Sequence, residues 1–125
     1  MASTSILNDV KKILNISVDD YTFDSDIILH INTAFSFLNQ LGIGPTNGFS
    51  IENYTTTWDT YLGTNANLNA VKTYVCLRVR MVFDPPTTSY MIDAMNKQIQ
   101  ELEFRLNVVR EATEWVNPLP VRVHH

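Results

Sequence analysis

NLNAVKTYVCLRVRMVFDPPTTSYMIDAMNKQIQELEFRLNVV, residues 67–109, is the stretch that decides the fold. Its first part places Leu68, Val71, Tyr74, Val75, Val79 and Val82 at the three-and-four spacing of one helical face, and Leu77 and Met81 add apolar surface on a second side. A helix from Asn67 that is apolar on two sides is predicted to be central. Asp84-Pro85-Pro86 stops it. The residue before a proline is pushed out of helical geometry, and proline has no N–H for a continuing helix. A second helix is predicted from Thr88 or Ser89, with Ile92, Met95, Ile99, Leu102, Leu106 and Val109 as the narrow seam of helix-on-helix packing. Asp93 before Lys97 and Glu101 before Arg105 put an acid four residues ahead of a base on its wet faces, worth a few tenths of a kcal/mol each.

Working outward toward the N-terminus, Ser5 can cap a helix carrying Ile6, Leu7, Val10, Ile13 and Leu14. Asp24 is read as the cap of a second helix with Ile27, Ile28, Ile31, Ala34, Phe35, Leu38 and Leu41, ended by Gly42 and Gly44-Pro45. Residues 43–66 differ: Gly, Pro, Asn and Thr separate large apolar groups that share no period. A connection this long in a small domain serves binding or holds minor structure, here a short hairpin or a single turn, with Thr57 to Leu62 as the candidate turn. The expectation is an all-α fold: a small four-helix bundle with a long 43–66 loop. Residues 1–113 form the helical domain, and 114–125 an extended C-terminal arm.

The chain has 125 residues, 45% hydrophobic and 18% charged, enough for one core and too apolar for a disordered protein. No apolar run approaches the roughly 20 residues of a membrane span, and no basic region precedes an apolar one at the N-terminus, so neither secretion nor membrane insertion is expected. Synthesis in the cytoplasm follows. Cys76 is the single cysteine, so no internal disulfide or thiolate metal site can form. The four glycines are too scattered for a phosphate loop, and no nucleophile elbow occurs. His30 has no acid or histidine at ligand spacing, and nothing local would lower the pKa of Cys76. The Asp19-Asp20 pair and Asp24 with Asp26 favour a helix start over a cation site. The reading is a non-enzyme with no catalytic residue, cofactor or metal.

What remains is surface for other proteins. Phe49, Ile51, Tyr54, Trp58 and Tyr61 are apolar groups left over from the helical stripes, and lack the interleaved bases of a nucleobase-stacking platform; they are candidates for a subunit or neighbouring-protein interface. Lys72, Arg78 and Arg80 are candidates for intersubunit ion pairs; were they to line one surface, a small helical DNA-binding regulator is the alternative function. The net charge of −4 argues against phosphate neutralisation. In the arm, Trp115, Val116, Pro118, Leu119, Pro120, Val121, Arg122 and Val123 are the docking candidates. An extended chain puts Leu119, Val121 and Val123 on one side, while the two prolines remove N–H groups from one backbone edge. A frayed terminus is the bland alternative, and the two final histidines also fit a tag remnant.

Taken together, LNDVKKILN, DSDIILHINTAFSFLNQLGIGP, the loop GFSIENYTTTW and the stretch from LNAVKTYV to ELEFRLN resemble the head-to-tail connector, or adaptor, proteins of long-tailed bacteriophages and prophages over residues 5–110. The order of features carries the resemblance, above all an aromatic loop feeding a helix that ends in Phe83-Asp84-Pro85-Pro86, then a seam helix with Glu103-Phe104-Arg105-Leu106. It implies a helical bundle without enzyme activity that forms a homo-oligomeric ring, commonly twelvefold, in the virion neck. Its implied partners are the portal protein above, a stopper or tail-completion protein below, and passing double-stranded DNA that is not bound sequence-specifically. The arm lies outside the matching region, so a portal-binding role for it is analogy.

Overall fold

The computed structural model describes residues 4–45, 47–63 and 68–114, with side chains described through Val108. The protein is an all-α bundle: α1 Ile6–Ile13, α2 Asp24–Gln40, α3 Trp58–Leu62, α4 Leu68–Phe83 and α5 Ser89–Glu114. The long loop thus contributes a fifth, short helix, α3, where a single turn was expected. Ser5 caps α1, its Oγ accepting from Asn8 N at 3.2 Å. The helix ends where Asn15 takes a φ of 62°, a left-handed conformation that asparagine tolerates better than most residues.

α4 packs against α2 on one side and α5 on another, with α1 and α3 covering the remainder, as its two-sided apolar pattern requires. Val71, Tyr74, Val75 and Val79 of α4 are buried against Ile27, Ile31, Ala34, Phe35 and Leu38 of α2. Each such aliphatic side chain contributes roughly 1.5–3 kcal/mol through burial. Val82, assigned to the same stripe by spacing, is exposed instead, because it lies in the last turn before the proline corner. The seam of α5 is buried at Met95, Ile99 and Leu106. A polar tie crosses the α4–α5 boundary: Tyr74 Oη donates to Glu103 Oε2 at 2.7 Å, and Arg78 lies 3.7 Å from the same carboxylate. Thr88 starts α5, its Oγ1 accepting from Met91 N and its carbonyl from Ile92 N.

Two capping and packing expectations are corrected at the α1–α2 junction. Asp24 is the first residue of α2 rather than its cap; Phe23 holds the cap position with no side-chain hydrogen bond. Asp24 instead meets Lys11 Nζ at 2.8 Å. Lys11 is 1% exposed, and its ammonium also donates to the carbonyls of Val18 at 3.2 Å and Asp20 at 2.8 Å, with the Tyr21 ring 5.3 Å away. Ile13, assigned to the buried face, is 51% exposed. At about 100° per residue Lys11 and Ile13 lie on opposite edges of the α1 arc centred between Val10 and Leu14, about 80° to either side; the α1–α2 turn folds over the Lys11 edge, through the carbonyls of Val18 and Asp20, and leaves the Ile13 edge open.

Candidate functional site

The loop carrying most of the proposed contact residues folds back onto α2. Asn32 clamps it, accepting from Ile51 N at 2.7 Å through Oδ1 and donating to Ile51 O at 3.0 Å through Nδ2. Phe35, Phe49 and Tyr61 then pack edge-on or tilted with ring centroids 4.6–5.0 Å apart, and Tyr61 Oη donates to Ile43 O. Gly44 must stay a glycine: its φ is +90°, and an added Cβ would sit 2.6 Å from the Tyr61 ring. At the loop's end, Ile6 N donates to Thr56 O and Trp58 N to Thr4 O, an isolated antiparallel bridge that pins α3 to the chain start. Trp58 Nε1 donates to Asp9 Oδ2 at 2.9 Å, an oxygen also reached by the Thr4 hydroxyl.

The candidate interface set is therefore split. Ile51, Trp58 and Tyr61 are buried, so these three are corrected from contact candidates to packing residues; Phe49 is half-buried against Phe35 and Tyr61, and Tyr54 is 59% exposed. Their lack of periodicity in the sequence came from a loop wrapping a helix, which buries side chains without imposing a repeat. The burial of Tyr61 pushes its phenol pKa up.

Lys72, Arg78 and Arg80 are also split. On α4, Lys72 and Arg80 share one face, whereas Arg78 points about 160° from that face's centre at helical spacing. Arg78 stacks over the Phe37 ring at 4.1 Å and pairs with Glu103. Lys72 lies 4.0 Å from Asp9 and 5.7 Å from the centroid of the Trp58 ring. Arg80 has no ion-pair partner among the described residues. Two of the three expected intersubunit ions are thus engaged within the chain, and Lys72, Arg78 and Arg80 do not line one surface.

The Lys72–Arg80 face and α1 enclose a groove of about 430 Å3. Ile13, Cys76, Leu77 and Trp58 supply its apolar walls, and Lys12, Lys72 and Arg80 its charges, with Asp9 at the Lys72 end. Cys76 is half-buried there. Desolvation, reinforced by the Asp9 charge and opposed by Lys72, raises its thiol pKa to about 11, so the thiol is protonated at neutral pH and unsuited to nucleophilic attack. A smaller recess on the other side of α4 includes His30, whose ring meets Phe83 edge-on at 6.4 Å. Among the described residues no cluster of His, Cys, Asp or Glu could hold a metal ion, and no helix is long and apolar enough to cross a membrane. The arm candidates Trp115, Val116, Pro118, Leu119, Pro120, Val121, Arg122 and Val123 lie outside the described residues.

The groove and Lys11 are what sequence reasoning missed. For the groove a signal was present, since Lys72, Cys76 and Arg80 recur every four residues; for Lys11 there was none, because it lies at the edge of the apolar arc of α1 and its partners come from the turn. A family model described as "Phage connector protein" matches residues 6–113. No curated protein and no solved structure matches the chain.

Proposed function

The chain belongs to the phage connector protein family, and we propose that it acts as a structural subunit of the ring between phage head and tail. In this reading about twelve copies close a cyclic ring on the portal protein, extend its DNA channel and present a platform for a stopper or tail-completion protein. The observation that carries it is the span of the match: residues 6–113 take in every helix but the last residue of α5, and hence the whole packed core. The net charge of −4 supports a conduit role, because a wall that neutralised phosphates would hold the duplex rather than pass it. The role needs no catalysis, and the raised thiol pKa of Cys76 is consistent with that. The protein works in the virion neck after synthesis in the host cytoplasm.

The arm, expected over 114–125 and taken here from 115 because Glu114 closes α5, is proposed to grip the portal by adding an extended edge to it. A phage in which this gene is disrupted tests the role. The expected outcome is DNA-filled heads and free tails that fail to join, restored by the gene supplied in trans; normal joined particles from the disrupted phage would contradict it.

A further inference from the structure

We propose that neighbouring copies of this chain join head to tail by inserting the acidic, aromatic α1–α2 turn of one copy into the basic, apolar α1–α4 groove of the next. The inference rests on the ring reading above and names the two faces that would build it. The turn, Ser17-Val18-Asp19-Asp20-Tyr21-Thr22-Phe23, carries no basic residue. Val18 and Phe23 are partly exposed, Tyr21 is 69% exposed, and Asp19 and Asp20 are solvent-facing. Thr22 hydrogen bonds to Asp20 hold that carboxyl below the usual range, so it stays ionised. Lys11, which reaches the turn, is consumed by Asp24 and by the turn's own carbonyls. Those bonds also fix the turn's shape before any partner arrives, which reduces the ordering cost of docking.

The groove is the chemical complement. Ile13 and Leu77 offer aliphatic surface for Tyr21 and Val18, and Lys12, Lys72 and Arg80 outnumber Asp9 at its edges. Placement agrees with the charges. Around α1, Lys11, which anchors the turn, points about 150° away from the mean direction of Asp9, Lys12 and Ile13, which face the groove. One subunit therefore presents knob and hole on opposite flanks of the same helix. Two different complementary faces so arranged give heterologous contacts, the kind from which a ring is built when the rotation between copies closes, whereas a two-fold dimer would need one self-complementary patch.

Charge reversal separates the possibilities, because a swapped knob fits only a swapped hole. One variant carries Lys12→Glu with Arg80→Glu, the other Asp19→Lys with Asp20→Lys; all four sites are away from the packed core, and unchanged melting would verify folding. Assembly is read by light scattering with the portal protein of the same phage present. Each variant alone is expected to lose at least tenfold in self-association, while an equimolar mixture recovers assembly with the two variants alternating. Wild-type rings unaffected by either variant, or a mixture that does not recover, would overturn the assignment of faces and leave the ring reading standing. A groove variant that still self-associates but no longer binds the portal would assign the groove to the portal instead. Wild-type protein that stays monomeric on its portal would overturn both the faces and the ring.

Discussion

Lys11 is accommodated inside a 125-residue domain because four groups converge on its side-chain nitrogen: two carbonyls, the Asp24 carboxylate and the Tyr21 ring. Lys11→Met keeps most of the stem's volume and removes the charge, leaving Asp24 and both carbonyls without their donor. It should cost about 2–4 kcal/mol in urea unfolding, since breaking a buried pair strands the remaining partner. A loss below about 0.5 kcal/mol would show that water replaces the ammonium at little cost. Cys76 yields a kinetic prediction. With its pKa raised from 9.0 to about 11, its thiolate fraction at pH 8 is about a hundredfold below that of a free cysteine, and iodoacetamide should react correspondingly slowly. The linkage has a definite sign. The folded state holds the proton more tightly than the unfolded one, so this thiol stabilises the fold below pH 9 and loses that contribution as pH rises toward 11.

Among the elements, helices were legible and the loop was not. The boundaries of α1, α2, α4 and α5 follow from Ser5, the Gly42 region, Asp84-Pro85-Pro86 and Thr88, because caps and breakers act through local backbone chemistry. The loop's inward packing depends on Asn32, nineteen residues from Ile51, and on Phe35 receiving Phe49 and Tyr61, none of which local pattern encodes. The same reason hid Lys11: its partners lie across a turn whose path had first to be known. Trp58 tests the corrected reading. Trp58→Ala should destabilise the monomer by about 3–5 kcal/mol, the cost of emptying a fully buried aromatic site. Tyr54→Ala, in the same loop but exposed, should stay within about 0.5 kcal/mol. Equal and small effects in thermal or urea melts would place Trp58 outside the core.

For the whole molecule, α2, α4 and α5 make a core that α1 and the loop complete, and the remaining apolar and basic groups lie in grooves and turns around it. Family membership accounts for the packed body; the arm and the two flanks of α1 are where this chain would meet other proteins. Deleting residues 115–125 should leave melting unchanged within a few degrees while weakening capture by immobilised portal at least tenfold; unchanged capture would make the arm a bystander. The ring itself is tested most directly by electron microscopy of the protein mixed with its portal. The expected image is a closed ring of this chain, coaxial with the portal and widening no gap in its channel. Portal particles that remain bare beside monomeric protein at saturating concentration would contradict it.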